Sequence, residues 1–566
     1  MIQLEQMTLA CLLKQSIENF AEHPALGFVD EQPITYQEMS VKIKQLIALL
    51  HEFHIEKGDK VAILGENSPH WGIAYLAITS MGAIVVPILP NFHPSEIHHI
   101  LRGSGSKVLF CSEKLAQKVD ETSIDRLNTV ISLDDFSVRE VNQQFAFLKD
   151  LIKKGLEDIS RLGKAARQVI QPCEVDIDED DLAAIIYTSG TTGHSKGVML
   201  THKNIVSNVL AIGKLVMLSP GDRLISLLPL SHTMECTVGF LTQIAHGCMI
   251  YYLRQAPTAR TLLPALEKVS PTIMVSVPLI MEKIYKNQIL RQINSKLLTR
   301  LLYRTGFGRK LLNKVAGKKL YRTFGGKLRH LVFGGAPLGA EVENFLREGN
   351  FPYACGYGLT ETSPLLTGTL ENVKFQSAGP AIPEVEIKIV DPDPESGIGE
   401  IYAKGPNVMK GYFNDPERSA EVLSPEGWFK TGDRGFLDQD GYLFIKGRSK
   451  NMLLGPSGEN IYPEEIEQHL NESEFVLESL VYQKDRRIIA RVHLDYDLLD
   501  RQFRAEKLTE SEIRKRIDKL LIEIKKEVNS KVSDFSKIHE VIEQTEPFEK
   551  TPTLKIKRYL YTEGER

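Results

Sequence analysis

No stretch of this sequence approaches the roughly 18 consecutive apolar residues that a membrane span requires. Its first residues, Met1-Ile-Gln-Leu-Glu-Gln-Met-Thr8, lack a charged segment followed by an apolar one, so neither export nor a membrane-integral position is expected. Cysteine is scarce: Cys11, Cys111, Cys173, Cys236, Cys248 and Cys355 are the six in 566 residues, and none stands in a CxxC or Cys/His spacing. No disulfide framework or zinc site is therefore signalled, and a reducing, cytoplasmic setting is the default. A dominant charge is missing too. With 69 Lys and Arg against 73 Asp and Glu, the formal charge is -4, so global charge points to no nucleic-acid partner. What is present is an ordinary globular composition, 42% hydrophobic and 25% charged, in a chain too long for one core. Two or more packed units follow.

Short β-rich runs, Lys60–Leu64, Gly82–Ile88, Lys107–Cys111 and Asn128–Leu133, alternate with helix-length segments Trp71–Ser80 and Pro94–Arg102. This rhythm predicts βαβ units around a largely parallel sheet. It resumes with strands expected over Ile225–Leu228, Met249–Leu253, Thr272–Val277 and His330–Phe333. Helices are expected over Thr237–His246 and Thr261–Val269, with Pro264 tolerable only in a first turn. After about residue 390, Gly399–Gly405 and Asp440–Gly447 read as glycine-punctuated antiparallel strands. Beyond residue 450 an α+β pattern follows. Its clearest helix starts at a Thr509/Glu512 capping box and runs through Ile513, Ile517, Leu520, Ile524 and Val528. The expected organisation is a large α/β domain over residues 1–449, including a β-rich subdomain, and a small mobile α+β domain over residues 450–566, divided near Gly447–Asn451.

The most informative stretch is the apolar Leu182–Tyr187 running into Thr188-Ser-Gly-Thr-Thr-Gly-His-Ser-Lys-Gly197. Gly190 and Gly193 let backbone N–H groups turn inward, Thr188, Ser189, Thr191 and Thr192 add donors, and Lys196 adds a mobile positive charge: chemistry suited to a polyphosphate. The Walker A pattern GxxxxGK[ST] is absent, because Ser195 precedes the lysine and Gly197 follows it. A plain turn after a buried strand needs far fewer hydroxyls and glycines than this. The run Tyr187–His202 closely resembles the AMP-binding signature of the adenylate-forming superfamily, which includes acyl-CoA synthetases, luciferases and peptide-synthetase adenylation domains.

Further landmarks of that family occur in order. Phe333-Gly334-Gly335-Ala336-Pro337 resembles its adenine-binding turn, and Gly356-Tyr357-Gly358-Leu-Thr360-Glu361-Thr362 resembles its next core motif. The resemblance implies that Tyr357 stacks on adenine, Thr360 contacts phosphate and Glu361 holds Mg²⁺, roles that suit an aromatic face, a hydroxyl and a hard oxygen ligand. Gly427–Asp433 and Gly447–Met452 resemble the segments bearing the ribose-binding aspartate, here Asp433, the neighbouring arginine, Arg448, and the hinge, Lys450. Thr551-Pro-Thr-Leu-Lys555-Ile-Lys557-Arg558 resembles the C-terminal motif whose lysine serves adenylation. Many members have glycine before that lysine where this chain has Leu554; Lys555 is the expected residue and Lys557 the alternative.

The implied chemistry is attack of a carboxylate on the α-phosphorus of ATP, loss of pyrophosphate, and displacement of AMP by a thiol, with the C-terminal domain rotating between the two steps. Thr188, Lys196, Glu361, His232 and Lys555 are the expected catalytic residues, and ATP, Mg²⁺ and coenzyme A the implied cofactors. Leu228-Pro-Leu-Ser-His232-Thr-Met-Glu235 resembles the stretch of fatty acyl-CoA synthetases in which the histidine borders the acyl and AMP sites. A medium- or long-chain fatty acid is thus the expected substrate and CoA the expected acceptor. An acyl carrier protein as acceptor and a non-catalytic nucleotide or acyl-chain sensor are the alternatives. One region stands apart: Lys283 to Arg329 holds fourteen Lys or Arg and no acid, interleaved with Leu297-Leu298, Leu301-Leu302 and Leu311-Leu312, which leaves a net -18 on the rest of the chain. A solvated helix face, a peripheral membrane contact, and a dock for an acidic carrier protein or CoA phosphates all fit this pattern.

Overall fold

A computed structural model describes residues 4–119, 126–141, 176–188, 195–455, 459–500, 508–551 and 555–562. Two eight-stranded sheets form the body. In the first, five parallel strands in the order Leu182–Thr188, Ile84–Ile88, Lys60–Leu64, Val108–Cys111, Thr129–Ser132 are flanked by antiparallel partners at both edges. The second has six parallel strands, Tyr353–Gly358, His330–Phe333, Ile273–Ser276, Arg223–Ile225, Met249–Tyr252 and Pro24–Phe28, again with antiparallel edges. The helix Pro69–Ser80 buries every residue from Trp71 to Thr79, as a helix apolar on all sides must. Pro69 occupies its first position, and Ser68 Oγ accepts from Trp71 N at 3.1 Å.

A four-stranded antiparallel sheet, Glu386–Val390, Gly399–Lys404, Phe429–Leu437 and Leu443–Arg448, follows as the β-rich part. After the single turn Ser449–Asn451 comes an α+β unit with a core of its own, from Ile461 to Ile538, around the strands Val476–Lys484, Arg487–Leu494 and Glu540–Glu543. Its helix Glu510–Asn529 starts at Thr509, whose hydroxyl and Glu512 satisfy each other's backbone N–H groups. The α/β class and the βαβ rhythm are as the periodicity predicts.

Three local expectations are corrected. The strand expected over Ile225–Leu228 spans Arg223–Ile225: Ser226 N still donates to Tyr251 O at 2.9 Å, but Leu228 O accepts from Asn67 Nδ2 at 2.6 Å, off the sheet ladder. The helix expected over Thr237–His246 is a π-helical stretch, Glu235–Leu241, leading into Thr242–Ala245; the Thr242 hydroxyl and the Gln243 amide donate to the Thr237 and Val238 carbonyls. The helix expected from Thr261 begins at Ala259, fixed by reciprocal Thr258/Thr261 capping, which puts Pro264 in its second turn.

Candidate active site

Strand Leu182–Thr188 returns as Lys196–Thr201, and the register sets Thr188 opposite Lys196 at the mouth of the hydroxyl-rich loop. Ser189, Gly190, Thr191, Thr192 and Gly193 lie outside the described residues. The two-residue strand Gly411–Tyr412 pairs with Met199 and Val198 and so brings Tyr412 beside the lysine. The Lys196 ammonium lies 4.7 Å from the centre of the Tyr412 ring, and the Tyr412 hydroxyl donates to Glu361 Oε1 at 2.9 Å. Burial lowers the pKa of Lys196, Glu361 opposes that shift, and Lys450 reinforces it. Tyr412 thus links the loop lysine to Glu361. The sequence carried no pattern that marked it.

Past the parallel strand His330–Phe333 the chain turns through Gly334–Pro337, with Gly335 at φ +83°. A Cβ on Gly334 would come within 2.8 Å of the Met234 sulfur and methyl, so a larger residue here would require that side chain to move. The next strand ends at Gly358, where an added Cβ would lie 1.8 Å from the Pro364 carbonyl oxygen; Thr360–Thr362 form the single helical turn that carries Thr360 and Glu361.

Antiparallel pairing sets Asp433 opposite Arg448. Arg448 Nε lies 3.2 Å from Asp433 Oδ1, and the Tyr357 hydroxyl donates to Oδ2 at 2.6 Å. Burial and the Asp433 charge raise the Tyr357 pKa well above its ordinary value, keeping the phenol a donor. Each carboxylate oxygen retains a second acceptor site for an incoming hydroxyl.

Lys555 is an exposed residue that lines the cavity. The surrounding protein lowers its pKa by desolvation, the nearby Arg448 adds to this, and Asp433 and Glu361 oppose it. Its backbone is fixed by a mutual pair with Thr551, whose N donates to Lys555 O at 2.7 Å and whose Oγ1 accepts from Lys555 N at 3.2 Å. Lys557 instead faces Glu549, 3.6 Å away. His232 accepts from Met234 N at Nδ1, 3.2 Å; burial, and then the charge of Lys555, push its pKa down to about 4, so it is neutral at physiological pH.

One cavity of about 2360 Å³ gathers these groups. Thr188, Lys196, His232, Gly334, Gly335, Ala336, Pro337, Tyr357, Gly358, Thr360, Glu361, Asp433, Arg448, Lys450 and Lys555 all line it. Its lining also includes the apolar side chains of Ile212, Leu215, Val216, Leu228, Met234 and Val238. Among the described residues no group of three or more His, Cys, Asp or Glu could hold a metal on its own. Glu361 as a single hard oxygen donor fits an Mg²⁺ that shares its coordination with phosphate oxygens and water.

Two parallel-centred sheets, an antiparallel sheet and a small α+β unit around one cavity are the architecture of the adenylate-forming class: an anthranilate CoA ligase solved with anthranoyl-AMP matches it with a TM-score of 0.75 at 20% identity, over 98% of this chain and 96% of that one. The model of the AMP-binding enzymes matches residues 13–413. The chain belongs to that family, the ATP-using, AMP-forming acid–thiol ligases. Long-chain-fatty-acid–CoA ligase 1 of Cavia porcellus is 30% identical over 511 residues, covering 84% of this chain and 72% of that protein. 4-Coumarate–CoA ligase 1 of Solanum tuberosum is also 30% identical, over 472 residues, covering 80% and 77%. Relatives at equal identity are named for different acids, so likeness alone does not select the acid.

Proposed function

We propose that the protein is a fatty acid–CoA ligase that forms acyl-AMP, releases pyrophosphate and passes the acyl group to the thiol of CoA. The observation that carries this reading is the composition of the cavity: Lys196, Glu361, Asp433, Arg448 and Lys555 share its lining with Ile212, Leu215, Val216, Leu228, Met234 and Val238, apolar side chains suited to a hydrocarbon tail. In this reading the loop from Thr188 to Lys196 grips the triphosphate, Tyr357 and the Gly334–Pro337 turn hold adenine, Thr360 contacts phosphate, and Asp433 with Arg448 holds ribose. Mg²⁺ held at Glu361 would neutralise phosphate charge. Lys555 draws the substrate carboxylate and the α-phosphate together and offsets the charge that develops there, while neutral His232 borders the junction of acyl chain and nucleotide without adding charge. No side-chain nucleophile is required. Residues 1–449 and 450–566 act as separate domains hinged at Lys450, the second turning away after adenylation so that the thiol can enter.

ATP/pyrophosphate exchange across saturated fatty acids, coumarate, benzoate and short dicarboxylates tests the reading. Exchange strongest with medium or long saturated chains is expected; exchange confined to aromatic or short polar acids, or none at all, overturns it. Supplying CoA and holo-acyl carrier protein in parallel identifies the acceptor, with the CoA thioester as the expected product.

A further inference from the structure

The acid-free basic segment from Lys283 to Arg329 has a marked surface character. Helix Leu297–Tyr303 buries none of its residues; Leu297 and Leu298 are 73% and 79% exposed. Helix Gly306–Thr323 turns Gly308, Asn313, Gly317 and Leu320 inward. On its outer face Phe307, Leu311 and Val315 recur every four residues, interleaved with Lys310, Lys314 and Lys318 at the same interval, so the two strips share one side of the helix. Phe307 is 82% and Val315 63% exposed. The helical stretch just before these helices, through Leu290, Arg291, Asn294 and Ser295, lines the cavity. The chain therefore runs from the cavity wall straight into these helices.

We propose that the outer face of Leu297–Tyr303 and Gly306–Thr323 docks on an anionic lipid bilayer. A face meant only for water does not present leucines and a phenylalanine at such exposure in one contiguous area. Apolar side chains entering the acyl boundary, with lysine and arginine stems reaching back to the lipid phosphates, account for both strips at once. Charge complementarity is local: Arg300, Arg309, Lys310, Lys314, Lys318, Lys319 and Arg322 lie on these two helices, within a segment that carries fourteen cations and no acid while the remainder of the chain is net -18, which favours this face meeting a negative surface. The docking goes beyond the activity proposed above and depends on no particular acid.

The test is co-sedimentation of the full chain with vesicles of phosphatidylcholine alone or with about 30 mol% phosphatidylglycerol. Binding at least ~10-fold stronger to the anionic vesicles, and weakened by raised salt, is expected. Leu298→Glu with Phe307→Glu should reduce that binding by ~10-fold or more with the thermal melt unchanged. Should that pair of substitutions disturb folding, Lys310→Glu with Lys314→Glu and Lys318→Glu, all on exposed positions, reads the same surface. Equal binding to neutral and anionic vesicles, wild-type binding in both variants, or variant-sensitive capture of holo-acyl carrier protein without vesicle binding each overturns the proposal. Because pelleting needs neither ATP nor an acid, failure of the fatty-acid reading would appear separately, in the exchange assay.

Discussion

Glu235 shows how a fully buried carboxyl can be kept without charge. It is fully buried at the start of the π-helical stretch, next to the cavity-lining Thr233 and Met234, and takes a hydrogen bond from Ser226 Oγ at 2.6 Å. Burial raises its pKa to about 8, with Ser226 opposing, so the carboxyl is protonated at neutral pH. The sign of its contribution to stability follows. Between the ordinary value of 4.5 and about 8 the folded state holds the proton that the unfolded chain has lost, so stability falls as pH rises through that window, by about 1.4 kcal/mol per unit for one proton. His202 and His232, both pushed down to about 4 chiefly by burial, act in the opposite sense between about 4 and their ordinary 6.5. Above pH 6.5 these two no longer mask the glutamate. Glu235→Gln keeps the acceptor for Ser226 and removes the titration, so its melting temperature should decline less between pH 6.5 and 8 than that of the wild type. Parallel declines would mean that this carboxyl is ionised in the folded protein.

At the scale of elements, the site depends on where strands stop and on what caps them. Gly358 ends its strand against the Pro364 carbonyl with no room for a Cβ, and the following turn carries Thr360 and Glu361. Gly358→Ala should therefore displace that turn and raise the KM for ATP by an order of magnitude or more, roughly the effect of a 1 Å misplacement; an unchanged KM would show that the turn yields without consequence. Lys286 plays the corresponding part between the large body and the small C-terminal unit. Its ammonium donates to the carbonyls of Asn471, Val476 and Ser473 at 2.5, 3.2 and 3.3 Å, closing the end of helix Pro463–Asn471, where a cation is favoured. Burial lowers its pKa, and Glu282 and Glu341 counter that. If this contact holds the small unit in its present position, Lys286→Met should lower the adenylation rate about tenfold and leave thioester formation from supplied acyl-adenylate nearly unchanged; equal rates in wild type and variant would remove that role. Neither Lys286 nor Tyr412 was legible in the sequence, because each acts through partners some 190 and 50 or more positions away, and Tyr412 sits on a strand of two residues with no periodicity to read. The parallel strands were legible because buried strands read as short apolar runs, as in Lys60–Leu64 and His330–Phe333. The loop after Tyr187 was legible for a different reason, since hydroxyls, glycines and a lysine so closely spaced state their chemistry without a structure. The π-helical stretch was hidden because its hydrogen bonds shift by one residue around a buried carboxyl, a choice made by packing and not by helix period.

For the molecule as a whole, one cavity must serve two reactions with different second substrates, and Lys555 is the group that should distinguish them. It comes from the C-terminal unit, yet its charge is felt by His232, and it in turn senses Arg448, Asp433 and Glu361 from the body. That placement suits attack on the α-phosphorus, where negative charge accumulates between two anionic reactants. Displacement of AMP by a thiol starts from a neutral mixed anhydride carbonyl and makes no such demand. If the small domain carries Lys555 away between the steps, Lys555→Ala should cut acyl-adenylate formation by ~100-fold or more, the usual cost of removing one preorganised charge-stabilising group. Thioester formation from supplied acyl-adenylate and CoA should change by no more than about threefold, because the lysine is then absent from the reacting centre. Comparable losses in both half-reactions would mean that Lys555 stays in place throughout and that the domain does not turn.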